Sequence, residues 1–597
     1  MKDFIFKSTR TGRTRILRAS SIWLIALLVT GCVGSTVNMK ESISNETDID
    51  ANQGIVVVRV VNASSIPLPL NYLTLAPKNL NASETIKPEQ LQNLKNTVGD
   101  SSYFIANVPA GSYSISNLRS YHSNGEYWYS RWIQGKIELG TFSVKAGGLI
   151  DLGTLIYYPK SQGDSYVQTL LRSPASNNAA FIGQYAPYLN YENARVTRWD
   201  DDGLDDERYA QYASVVQNPV TYNKRYLSPD GSLYFVGKLG YILKRTAGGE
   251  WQTDAVETDA DLYAIAENEK GDKLVGGEHG GLFLQRAGST EWNSISVDPT
   301  LAIQSILPNQ QGSFDFIAWN RSVANVFRIA SLDTLEPILI KQFKSGTGWV
   351  DPEGGVEYRP KYPTNGNYRY NLSYVNAHNM QGKNLLFIGE VNFYGNDFNY
   401  LKSTQRKNAL LFDSETWEAK PFSNFGEGVD KVVSGGASDL GINEAGAWSM
   451  SGRDKYLRYD AGNSDWVPIK TSYDLCPNHP PSATACKING KRVNRKVPFS
   501  FISVPVFSSD LDAIAFGKLR SNHKTEAEDA RVRVLKTNDG GKSWIKIGNT
   551  LPGKYCGSTI PEIEGILLVS CKGFSSDFYQ SGDSGLTWHH VRQTENF

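Results

Sequence analysis

Ser581-Gly582-Asp583-Ser584-Gly585-Leu586-Thr587-Trp588 contains, in eight residues, the parts of a tight hairpin turn closed by an indole. The Asp carboxylate is placed to accept backbone N–H groups of the turn. Gly585 can take a dihedral that other residues resist, and Trp588 supplies the apolar bulk that seats the hairpin on its sheet. A near copy, Thr537-Asn538-Asp539-Gly540-Gly541-Lys542-Ser543-Trp544, stands 44 residues earlier.

Working backward, weaker copies appear. Gly237-Lys238-Leu239-Gly240 leading to Trp251 and Gly277-Glu278-His279-Gly280 leading to Trp292 share a Gly-x-x-Gly, strand, turn, Trp order but lack the turn Asp. Their hairpins are therefore expected to be less tightly capped. Trp417 after Asp413, Trp466 after Asp460 and Gly462, and the stretch Phe327 to Leu335 fit further copies. A period of 40 to 50 residues with four short strands per unit predicts a β-propeller. The expected count is seven blades, at 219–258, 259–299, 300–346, 368–422, 430–470, 497–549 and 557–594, with insertions at 347–367 and 471–496. Six or eight blades remain open.

The pattern Ser-x-Asp-x-Gly-x-Thr-Trp resembles the Asp-box of sialidases, sortilins and related propellers. The Gly-x-x-Gly copies resemble the photosystem-assembly-factor class. This resemblance implies that Thr537, Asp539, Gly541, Trp544, Ser581, Asp583, Gly585 and Trp588 are structural residues, placed on hairpins away from the central channel.

At the other end, six basic residues (Lys2, Lys7, Arg10, Arg13, Arg15, Arg18) precede a short apolar run, Ile22 to Val29, and then Val29-Thr30-Gly31-Cys32. The layout is that of a secretory signal, and the run is too short to remain as a membrane-spanning helix. Small residues leading into a cysteine resemble the lipobox of bacterial lipoproteins, which implies cleavage after residue 31 and a lipid on Cys32. Val33 rather than Asp follows, which in the proteobacterial pattern implies the outer membrane. Residues 32–53 are polar and aperiodic and are expected to be a flexible tether. At Ile55-Val56-Val57-Val58-Arg59-Val60-Val61 the β-branched density rises and a sheet begins. Val108-Pro109-Ala110-Gly111-Ser112-Tyr113 is similar to the signature of small transthyretin-like or carboxypeptidase-regulatory-like β-sandwiches, so a sandwich is expected over 54–158. A linker with a short helix then fills 159–218, and the propeller takes 219–597. The fold class is all-β.

Forty per cent hydrophobic residues and 54 glycines suit such a turn-rich β chain. Setting aside residues 1–31 takes six basic residues and one acidic residue from totals of 61 each, leaving a mildly acidic chain. With no basic run after the signal, it has no electrostatic footprint for nucleic acid. Cys476 with Cys486 and Cys556 with Cys571 form two close pairs in a chain sent to an oxidising compartment, and each reads as a disulfide. A zinc site using His479 is the rival at the first pair, but Cys-x9-Cys lacks the tight zinc spacing.

Candidate chemistry is sparse. Arg198-Trp199-Asp200-Asp201-Asp202-Gly203-Leu204-Asp205-Asp206-Glu207 suggests calcium, yet the loop register would place Arg198 and Tyr209 at ligand positions. An N-capped helix starting near Leu204 explains the same acids. Phe327-Arg328-Ile329-Ala330 lacks the Pro of the sialidase Phe/Tyr-Arg-Ile-Pro motif. His589 and His590 alternate to opposite faces of the last strand. Alternation also places Trp128 and Trp132 on one face of their strand and Tyr127 with Tyr129 on the other, offering a stacking platform for a sugar or a protein. The expectation is a non-enzymatic, lipid-anchored cell-envelope protein whose propeller binds a protein or glycan, with no catalytic residue, metal or cofactor. Its membrane contact would be the N-terminal lipid. The alternative is a sialidase- or xyloglucanase-like glycoside hydrolase, whose paired carboxylates a single sequence does not locate.

Overall fold

The computed structural model describes residues 37–592, apart from 65–67, 79–86, 95–100, 124–127, 135–138, 163–164, 174–177, 217–221, 347, 351–355, 359–368, 381, 394–403, 419–439, 444–445, 451–454, 461–464, 481, 489, 498, 502–504, 520–531, 553–555, 564–565 and 573–575. Cys32 and the signal segment lie outside the described residues. The chain divides into two compact units between Gln217 and Asn218.

The first unit is a two-sheet sandwich. One sheet has the order β1 (Asn38–Lys40), β4 (Glu89–Gln92), β3 (Leu70–Pro77), β6 (Gly111–Ser123) and β7 (Trp128–Gln134), with β8 (Phe142–Val144) also on β6. The other runs β10 (Ser165–Arg172), β9 (Leu149–Gln162), β2 (Gly54–Asn62) and β5 (Ser101–Val108), with β11 (Val196–Thr197) on β9. Val56, Val58 and Val60 meet Leu73, Leu118 and Ile133 in one core. Val57, on the opposite face of β2, enters a second cluster with Phe181 and Ile182. A strand covered on both faces reads as an unbroken apolar run, which is why β2 shows no alternation.

Two expected boundaries are corrected. The stretch expected as a tether, 32–53, contributes β1, which pairs in parallel with β4, and it buries Ile43. Strand pairing uses backbone groups, so a polar composition does not forbid it. Of the expected linker, 159–218, the first part completes β9 and supplies β10. The helix Ala179–Tyr185 then roofs the second sheet, its Phe181 ring stacked 3.5 Å from Tyr103.

The second unit is a β-propeller. Among the described residues, seven sheets of three or more strands follow in order, at 222–255, 262–295, 302–358, 369–413, 440–470, 472–550 and 556–592, with a two-stranded hairpin, Ala485–Ile488 and Lys491–Asn494, inside the sixth span. They are called sheets 1 to 7 here. Sheets 1, 2, 5 and 7 are four-stranded antiparallel meanders. The first strands of sheets 1 to 4 lie beside one another, which makes them the innermost strands. Closure is visible where sheet 1 meets sheet 7. Phe578 lies 5.0 Å from Phe235 and 4.9 Å from Trp251, in a cluster with Leu243 and Leu568.

Both expected insertions turn out to extend sheets. Gly348–Val350 and Val356–Tyr358 add two strands to the outer edge of sheet 3. Ser472–Asp474 pairs in parallel with the last strand of sheet 6. An outer edge presents unpaired N–H and C=O groups, and a long connection that runs past can satisfy them.

Candidate functional site

The two Asp turns share one set of bonds. In sheet 7 the Ser581 hydroxyl donates to Asp583 Oδ1 at 2.7 Å and accepts from Gly585 N at 2.7 Å. Asp583 then accepts from Thr587 N at 2.8 Å and from Thr587 Oγ1 at 2.6 Å. In sheet 6, Thr537, Asp539, Gly541 and Ser543 repeat the arrangement at 2.8, 3.0, 2.9 and 2.5 Å. Gly585 at φ +85° and Gly541 at φ +81° occupy the left-handed region. The Thr587 hydroxyl and amide hold the Asp583 carboxyl down at about 2. Burial opposes ionisation of Asp539, but the Ser543 bonds outweigh it and the net shift is downward.

The indoles at these turns wedge into the seam with the preceding sheet. Trp544 is fully buried beside Ile469 of sheet 5. Trp588 packs with Phe516 and Val534 of sheet 6, Trp292 with Val236 and Ile242 of sheet 1, and Trp251 with Phe578 of sheet 7. Trp417, also fully buried, donates its indole N–H to Asp315 of sheet 3 at 2.6 Å. Sheet 3 uses Leu335 in this role, packed against sheet 2. The Trp466 side chain lies outside the described residues.

Each pair of cysteines is bonded, Cys476 to Cys486 and Cys556 to Cys571. The second pair faces across the first two strands of sheet 7. The first ties down the segment that extends sheet 6, where Arg495 also pairs with Asp474 at 2.7 Å.

Several charged groups that suggested chemistry are engaged structurally. Arg328 grips the buried Asp315 with two bonds of 2.7 Å. Asp202 and Asp205 neutralise Arg208, and Asp205 also reaches Arg172 at 2.9 Å. Arg208 holds the Asp202 carboxyl at about 2. The helix Asp205–Val216 starts within this cluster. Lys238 and Asp261 form a buried ion pair, with Glu278 accepting from Tyr263 at 2.8 Å in the next Gly-x-x-Gly turn. His590 stacks on Tyr579 at 4.7 Å. Among the described residues no group of three or more His, Cys, Asp or Glu is placed to hold a metal, and no helix is long and apolar enough to cross a membrane.

A second repeat escaped the sequence reading. The turns between first and second strands, Ser228–Ser232, Asn268–Asp272 and Asn309–Ser313, close with one backbone bond pattern. Gly231, Gly271 and Gly312 sit in each at φ +79°, +85° and +74°. The regular glycine spacing was the available signal.

Two exposed groups remain. Leu227, Leu511 and Leu586 are 46%, 57% and 52% exposed. They stand at the end of the sheets that carries the first-to-second and third-to-fourth turns, on three neighbours in the ring, sheets 1, 6 and 7. On the sandwich, Trp132 and Tyr121 are 49% and 37% exposed. Tyr127 and the Trp128 and Tyr129 side chains fall outside the described residues, so only Trp132 of the expected platform is placed.

No family model matches the chain, and no curated protein does. Solved structures similar to the propeller include YCF48 bound to a D1 peptide, with 12% identity over 59% of this chain and 89% of that one and a TM-score of 0.33. The WD40 β-propeller domain of Doa1 gives 13%, 61%, 94% and 0.33. BamB from Moraxella catarrhalis gives 10%, 60%, 96% and 0.31. The propeller assignment rests on the sheets themselves.

Proposed function

We propose that this chain is a non-enzymatic, lipid-anchored cell-envelope protein whose propeller serves as a binding platform for a protein partner. The observation that carries this reading is the set of exposed leucines, Leu227, Leu511 and Leu586, on three neighbouring sheets of the ring. Scattered exposed apolar residues need no explanation, but three at one end of adjoining sheets offer apolar area to a partner. Burying the exposed half of each would contribute roughly 1 kcal/mol. The structural use of Arg328, Asp315, Lys238 and Asp261 is in keeping with a scaffold rather than a reaction centre.

The Asp-box identity of the two capped turns, the seven-blade count and the lipid on Cys32 belong to the same reading. The anchor rests on the basic, apolar and small-residue succession ahead of Cys32. A photo-crosslinker at Leu511 in intact cells is expected to trap one dominant protein, lost in the Leu227→Ser/Leu586→Ser background. Labelled palmitate is expected on the wild type and absent from Cys32→Ser. Turnover of a sialyl or glucan substrate by the purified chain would replace this reading with the hydrolase.

A further inference from the structure

A different surface, on the first unit, carries a second site. Strands β4, β3, β6 and β7 align Gln92, Tyr72, Arg119 and Trp132 in one rank across the sheet. Asn117 stands on the same face two residues along from Arg119. The alternate residues Leu73, Leu118 and Ile133 point the other way, into the core, so this rank faces outward. The Arg119 guanidinium lies between two rings, 4.6 Å from the Trp132 centroid and 5.2 Å from the Tyr121 centroid. Its Nε donates to Ser130 Oγ at 3.1 Å. Arg119 pairs with no carboxylate among the described residues. The arrangement is a planar cation held by stacking and one hydrogen bond, and among the described residues its remaining N–H donors meet no carboxylate.

We propose that this face binds an anionic polysaccharide. Sugar rings present C–H faces that pack on indole and phenol rings, and a carboxylate matches the guanidinium fork in a bidentate way. Holding Arg119 in place beforehand reduces the ordering cost of binding. Because β7 is the outermost strand of its sheet among the described residues, a polymer can continue past Trp132 over that edge. A neutral glycan would leave the guanidinium charge unanswered. A peptide adding to the β7 edge would draw on backbone groups and have little use for Arg119.

The test is calorimetric titration of the purified full-length chain with polygalacturonate, alginate and hyaluronate, and with neutral dextran and amylose. Binding is expected to at least one acidic polymer, weakening as salt is raised. Trp132→Ala and Arg119→Gln should each weaken it about tenfold or more. Arg119→Lys should fall between them and wild type, since it keeps charge but loses the planar fork. Far-UV circular dichroism and the urea midpoint should be unchanged, Trp132 being exposed and Arg119 partly so. Binding to none of the acidic polymers, equal binding to the neutral ones, or wild-type affinity in Trp132→Ala and Arg119→Gln would each overturn the proposal. The Leu511 crosslink reports on the propeller alone, so either site can fail without the other.

Discussion

The turns between third and fourth strands are held differently at the two ends of the propeller sequence. In sheets 6 and 7 an Asp and a Ser or Thr hydroxyl clamp each turn through five side-chain hydrogen bonds. In sheet 1 the clamp is a single bond, Thr246 Oγ1 accepting from Glu250 N at 3.0 Å. In sheet 2 two separate groups act, Ser289 Oγ accepting from Glu291 N at 3.0 Å and Asp272 Oδ1, from a neighbouring turn, accepting from Ala287 N at 3.0 Å. All four turns still end in a Trp that enters a seam between sheets. The polar clamp can erode while the apolar wedge persists. A turn in water loses little when a cap is absent, whereas an empty seam leaves a cavity between two sheets.

The largest effect is therefore expected from the wedge. Trp544→Ala should cost about 3–5 kcal/mol of stability, measured by urea unfolding. Trp251→Ala should cost less, because its indole is only partly buried. Equal losses would show that depth of burial does not set what each wedge contributes.

The clamp comes next. Asp539→Ala should cost about 1–2 kcal/mol, the scale of a lost cap, with faster hydrogen exchange confined to the hairpin 533–550. Because the Asp583 carboxyl in the folded chain lies at about 2, below the unfolded value of about 4, its stabilisation is fully present above about pH 4. It is lost as pH falls through the folded value. The urea midpoint should fall over that window, and less steeply in Asp583→Asn.

The smallest effect sharpens the comparison by restoring what sheet 1 lacks. Thr246 makes the same bond to the residue four ahead that Asp583 makes to Thr587. Thr246→Asp should therefore raise stability by about 0.5 kcal/mol, seen as a higher urea midpoint.

The repeat was legible because hairpin turns and their Trp residues are local. A carboxylate capping an amide four residues on, and a glycine with positive φ, leave a fixed spacing in the chain. The disulfides were legible for the same reason, both pairs being close in sequence. The platform was legible only in part. Alternation picked out Trp132, but its partner Arg119 comes from the adjacent strand, and one strand carries no record of what lies across the register. The tether and linker were misjudged because polar, aperiodic stretches differ from strands only in what they pair with. Arg328, set apart from a sialidase arginine in the sequence by the missing Pro, is bonded to Asp315, a partner that no local motif names.

Sequence alone determined the all-β class, the recurring turn-and-Trp spacing and the clamped turns, since each is written within a few residues; that the Trp enters the seam with the preceding sheet was decided by packing. Only tertiary structure decided that sheet 7 closes on sheet 1 through Phe578, Phe235 and Trp251, that Trp417 reaches Asp315 102 residues away, and that Arg119 stands between two rings. Those contacts join residues whose spacing along the chain is set by loop lengths, and packing alone selects which of them meet.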